Sequence, residues 1–148
     1  MRLVLLAAAF FIGSSAAAVS GEKNLNFKLV TIYIGEKDGE SHLMGVTVSP
    51  DGSIGTKDFY NKVGETGAST GRSVYYFPKG NIVANYKGAS TGIAAGGHFK
   101  GTYEILSGIG ESEGATGTGA IDGAFGDASP LKNAGLYDIQ LNIRTPGV

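Results

Sequence analysis

The chain has no cysteine and no tryptophan, and only two histidines and four prolines among its 148 residues. Without cysteine there is no disulfide staple, no thiolate nucleophile and no lipidated N-terminal thiol, so stability has to come from packing and backbone pairing. His42 and His98 lie far apart and have no thiol to help them, so they form no local transition-metal motif. The acidic stretches Glu36–Glu40 ("EKDGE") and Asp122–Asp127 ("DGAFGD") match neither an EF-hand loop nor the glycine-aspartate nonapeptide of calcium-binding β-rolls. No metal and no cofactor is expected. Basic residues are scarce too. With 12 Lys+Arg against 13 Asp+Glu and no basic cluster, nucleic acid is not expected as a partner, and no polybasic segment would hold an anionic membrane.

No long apolar run follows residue 20. The one before it is short: Leu3–Ile12, "LVLLAAAFFI", follows Arg2 and leads through Gly13-Ser14-Ser15 to Ala16-Ala17-Ala18. A positive start, an apolar stretch about half a bilayer span and small residues at its end read as a secretory signal, 1–20, cleaved after Ala18 or Ser20. The expected domain is then a single one at 21–148, secreted or periplasmic, with no stable membrane anchoring. Removing Arg2 with the signal leaves 11 basic against 13 acidic side chains, a net charge of −2.

Glycine is abundant, 25 of 148, and it falls between short runs rich in β-branched and aromatic residues. Those runs are Phe27–Ile34, Leu43–Val48, a weaker Ser53–Tyr60, Arg72–Phe77, Asn81–Lys87, Gly97–Leu106, Gly114–Gly123 and Leu136–Arg144. "KDG" (Lys37–Gly39), "SPDG" (Ser49–Gly52) and "PKGN" (Pro78–Asn81) supply turn chemistry between them. No 3.6-residue periodicity competes. About eight strands with short links describe an all-β, antiparallel barrel or sandwich, and eight strands close a barrel whose interior can hold one small ligand.

Alternation assigns faces. Phe99, Gly101, Tyr103 and Ile105 share one side of their strand, with His98, Lys100, Thr102 and Glu104 opposite. Tyr137, Ile139, Leu141 and Ile143 oppose Asp138, Gln140 and Asn142. Tyr33, Tyr86, Tyr103 and Tyr137 each have apolar neighbours at ±2, so they are the candidate lining of a cavity, giving aromatic walls and a few hydroxyls. The missing tryptophan tells against an avidin-type binder. An inverted barrel would instead line its interior with Asn85, His98, Glu104 and Asn142. The first strand is apolar on both faces, with Val30, Ile32 and Ile34 opposing Phe27, Leu29 and Tyr33, which points to a homo-oligomer, trimer or dimer.

"GASTG" occurs twice, at Gly67–Gly71 and Gly88–Gly92, and fits the G-x-S-x-G of a nucleophile elbow. The elbow needs a helix after the serine and an acid, then a histidine, later in the chain. No Asp or Glu lies between Ser69 and His98, His98 is the last histidine, and no helix follows either copy. A serine hydrolase is excluded, and both copies read as turns at strand boundaries. No G-x-G-x-x-G or G-x-x-x-x-G-K-[ST] loop is present for a nucleotide.

Gly101–Gly123, "GTYEILSGIGESEGATGTGAIDG", resembles a glycine-rich segment of the allene oxide cyclase-like and dirigent-like barrels. Gly101, Tyr103, Ile105, Gly108, Gly110, Gly114, Ala115, Gly117 and Gly119 carry the likeness, while Ile109 and Ser112 depart from it. The resemblance implies a single eight-stranded antiparallel calycin-like barrel, often trimeric, whose cavity takes a small apolar, aromatic or phenolic molecule. It also implies, as alternatives, a cyclase or isomerase or dirigent-type templating of a reactive substrate in that cavity. A structural or adhesion β domain with a filled core is the remaining expectation.

Overall fold

The structure, a computed structural model, describes residues 21–92 and 95–146. The expected secretory signal, 1–20, lies outside the described residues. Eight strands run in chain order: β1 Gly21–Lys37, β2 Glu40–Val48, β3 Ile54–Val63, β4 Ala68–Phe77, β5 Gly80–Thr91, β6 Gly96–Gly110, β7 Thr116–Gly126 and β8 Gly135–Thr145. Each pairs antiparallel with its neighbours and β1 closes on β8, so the sheet is a closed barrel with no free edge. The barrel alternative is therefore the one adopted, and not a sandwich.

The turn chemistry is local and strict. Asp38 and Gly39 both have positive φ, 54° and 76°, which is the two-residue hairpin geometry that asparagine or aspartate followed by glycine favours. At Ser49–Ser53 the Gly52 amide donates to Ser49 O, and the Asp51 carboxylate accepts from the Ser53 amide and hydroxyl.

Both GASTG copies depart from the expected turns. They lie mostly inside β4 and β5 and pair with each other: Ala68 opposes Ala89, Ser69 opposes Gly88, and the Ser90 amide donates to Gly67 O. The reason is space. Gly71 lies opposite Tyr86, and a Cβ at Gly71 would come within 2.5 Å of that ring; a Cβ at Gly88 would come within 2.6 Å of the Phe99 ring. Gly119 opposes Leu141 and Gly123 opposes Tyr137 in the same manner. The glycines let large inward side chains from one strand lie across the bare backbone of the next, the small–large alternation that fills a narrow barrel.

The interior face holds Phe27, Leu29, Phe59, Tyr75, Ile82, Tyr86, Phe99, Tyr103, Ile121, Tyr137, Ile139 and Leu141. Asn85, His98, Glu104 and Asn142 all face outward and are exposed, so the inverted barrel does not hold. The inward positions carry the aromatic mass, and pleat parity sends their neighbours to solvent. Across β1, β2 and the start of β3 the outer face is also apolar: Ile32, Ile34, Met44, Val46, Val48 and Ile54 are exposed. The first strand is thus buried on its inner face alone within one chain.

Candidate functional site

An aromatic plug divides the interior. Tyr75 is fully buried, with Phe27 edge-on at 5.5 Å, Phe77 stacked at 6.0 Å and Tyr103 edge-on at 5.9 Å. Beyond it, towards the β1–β2, β3–β4 and β7–β8 links, lies a cavity of about 310 Å³. Leu29, Thr31 and Tyr33 of β1, Leu43 of β2, Phe59 and Asn61 of β3, Tyr86 and Ser90 of β5, Phe99 of β6, Ile121 and Phe125 of β7 and Tyr137 of β8 wall it. A second hollow of about 480 Å³ lies at the opposite end, among Lys23–Phe27, Ser49–Ser53 and Phe77–Gly80. It is the larger, and it lies among turns, with Leu25, Phe27 and Phe77 beside exposed Lys23, Asn24, Asp51 and Lys79. The smaller cavity is the one walled mainly by inward strand side chains and reaching the deeply buried polar groups of the interior.

The four candidate lining tyrosines separate by depth. Tyr86, Tyr103 and Tyr137 are buried and point inward; Tyr33 sits at the mouth and is 60% exposed. The bulge between Tyr33 and Gly35 marks where β1 leaves the regular barrel wall. Tyr86 donates to Tyr60 O at 3.3 Å. Burial holds the Tyr75, Tyr86 and Tyr103 phenols well above their ordinary value, and pushes Tyr137 up to about 12. All four are neutral hydroxyls at physiological pH.

The residue that sequence reasoning missed is Lys57. It points inward from β3 at the floor of the cavity and is 1% exposed. Its Nζ donates to Tyr103 Oη at 2.8 Å. Four rings surround the nitrogen, Phe59 at 4.1 Å and Tyr75, Tyr86 and Tyr103 at 5.1 to 5.3 Å from their centroids. No carboxylate pairs with it among the described residues. Ring faces attract a cation, but they do not replace the water an ammonium loses here. Burial therefore pushes the Lys57 pKa well below the ordinary lysine value. The signal was in the pattern: Gly55, Lys57 and Phe59 share one side of a strand that was read only as weak, and Phe59 fixes that side as inward.

Asn61, two inward positions further along β3, also lines the cavity, and its buried Oδ1 has no hydrogen-bond partner among the described residues. Ser69 is 2% exposed with its Oγ likewise unpartnered, and neither histidine approaches it: His42 pairs with Asp58 and His98 faces out. No cluster of metal-ligating side chains is present among the described residues.

Fold and site together define a closed eight-stranded barrel with an aromatic cavity floored by a lysine. Compared with known proteins, the chain matches no family model, no curated protein and no solved structure.

Proposed function

We propose that the chain is a secreted or periplasmic binding protein that carries a small apolar or phenolic molecule inside the barrel. The observation that carries this reading is the 310 Å³ cavity, apolar-walled by strand side chains with a few polar groups, Lys57, Asn61 and the Tyr137 hydroxyl among them. That composition is typical of a small-molecule site. The open volume favours a ligand over a filled-core structural or adhesion domain. It also suits templating by an isomerase or cyclase in the allene oxide cyclase or dirigent manner. The outward Lys87, Lys100, Glu104, Asp122 and Asp138 are the reverse of the apolar belt a membrane barrel needs, which supports a barrel working in water.

The polypeptide partner we infer is a second copy of this chain, seated on the exposed apolar outer face of β1 to β3. The border of that face carries both signs of charge, with Lys28–Asp138 on one side and Arg72–Glu40 on the other, so like copies meet without net repulsion. Native mass spectrometry of protein purified from its host tests both parts. A retained small molecule and a dimer or trimer are expected; a ligand-free monomer that also ignores apolar fluorescent probes would remove the reading.

A further inference from the structure

We propose that Lys57 captures a carbonyl-bearing apolar molecule, an aldehyde or ketone, and holds it in the cavity as an imine. The proposal rests on reading the cavity as a ligand site, and adds the chemical class of the ligand and the atom that takes it.

The geometry has three parts. First, Nζ lies at the cavity floor, where Phe59 and Tyr86 belong both to its cage and to the cavity wall, so a ligand that fills the cavity meets the amine end-on. Second, Nζ donates one N–H to Tyr103 Oη, which fixes the nitrogen and leaves a lone pair for the cavity side. Third, no acid pairs with the amine among the described residues, so no counter-ion there holds it as an ammonium. An uncharged lysine in an apolar pocket is an activated nucleophile, and its burial acts in that direction. A lysine with only a packing role would cost less if it reached solvent with its charge; this one is kept inside at the expense of its hydration.

The step balances without a further reactant. The Nζ lone pair attacks the carbonyl carbon, and the C=O π pair moves to oxygen. One N–H proton passes to that oxygen to give a carbinolamine. The C–O bond then breaks as water leaves with the second N–H proton, and the nitrogen pair closes the C=N bond. Net, amine and carbonyl give imine and one water. Tyr103 Oη, beside Nζ and kept as a neutral phenol by burial, is placed to take up and return a proton during the transfer. The surrounding rings exclude the water that would hydrolyse the product.

The test uses the purified full chain with nonanal and with cinnamaldehyde, each followed by reduction with cyanoborohydride, intact-mass measurement and peptide mapping. The expected result is one adduct per chain, on Lys57, at neutral pH, with labelling at least tenfold lower in Lys57→Met. Every other lysine is exposed, so labelling spread over those positions, or equal labelling in Lys57→Met, overturns the proposal. If Lys57→Met does not fold, the peptide map of the native chain decides alone. Binding of N-phenyl-1-naphthylamine, an apolar fluorophore without a carbonyl, is measured in parallel. Fluorophore binding without a Lys57 adduct overturns the imine and leaves the cavity reading standing; no binding of either kind overturns both.

Discussion

Lys57 Nζ and Tyr103 Oη are 2.8 Å apart, joining β3 to β6 across the interior. The link satisfies one donor of a lysine that has lost its water and gained no counter-ion among the described residues, so folding and protonation of Lys57 oppose each other.

Stability should therefore depend on pH through Lys57, with a definite sign. Unfolding returns the amine to its ordinary value of 10.5, while the folded value is depressed by burial. Between the two, the unfolded chain binds the proton that the folded chain refuses, so the folded state loses ground as pH falls. The tyrosines facing Lys57 are Tyr75, Tyr86 and Tyr103, and Tyr137 lies in the same cavity wall. Their raised values remove stability only as pH rises past about 10, where unfolded phenols ionise. The window from pH 9.5 to pH 7 thus isolates the lysine. Denaturant unfolding across it should show Lys57→Met gaining on the native chain as pH falls, by at most about 1.4 kcal/mol per unit. A difference that stays flat would show that Lys57 keeps its proton inside the barrel.

Space, not turn flexibility, explains the inward strand glycines such as Gly71, Gly88 and Gly123, and two substitutions test this. At Gly71 a Cβ would overlap the Tyr60 carbonyl oxygen and press on the Tyr86 ring, so Gly71→Ala should cost about 1–3 kcal/mol or prevent folding. At Gly35 nothing lies within 4 Å of the added carbon. Gly35→Ala should be neutral or stabilising by about 0.4–1 kcal/mol, because the unfolded chain loses freedom. Thermal melts of the two variants check this, and equal effects would refute the crowding account.

Strand number and inward faces were legible because period-2 alternation is strong on β6 and β8, where aromatic or aliphatic residues face charged ones. Boundaries were less legible. The ends of β4 and β5 are written in Gly, Ala, Ser and Thr, which have no patterned hydrophobicity, so pairing partners rather than propensity extend those strands. Lys57 was invisible for a related reason. A lysine in an alternating strand normally marks the wet face, and here Lys57 lies between Thr56 and Asp58, so nothing in its immediate neighbours marks it as the inward residue. Tyr33 was placed with the right parity, but alternation does not say that β1 runs past the barrel mouth at that point.

Ser69→Ala should leave any activity intact, since Ser69 approaches no histidine. Ser69→Ala should also raise stability slightly, because its buried Oγ has no partner among the described residues. A loss of activity above about tenfold with the fold preserved, equal to about 1.4 kcal/mol of barrier, would restore a catalytic serine.

The outer face of β1 to β3 makes its own prediction. Val46 is 46% exposed and pairs across the strands with Val30 and Thr56, at the middle of the apolar patch. Val46→Asp places a charge there without touching the interior. Sedimentation velocity should show the native chain as a dimer or trimer and Val46→Asp as a folded monomer. A monomeric native chain, or an assembly indifferent to the substitution, would rule this face out as the contact.

Asn61 supplies the last prediction, about which ligands the cavity prefers. Its buried Oδ1 accepts no hydrogen bond among the described residues, and a buried acceptor left unpaired costs about 1–3 kcal/mol. A ligand with a hydroxyl or amide hydrogen aimed at Asn61 recovers part of that cost, while a purely apolar ligand does not. The native chain should therefore bind 2-naphthol several-fold more tightly than 2-methoxynaphthalene, which has the same ring system and no donor. Asn61→Leu is close in volume and removes the acceptor, so it should bind the methoxy compound at least as well and lose the preference for the phenol. Isothermal titration of both compounds against both chains gives the four affinities needed. Equal affinities of the native chain for the two compounds, or a preference that survives Asn61→Leu, would show that Asn61 does not read the ligand.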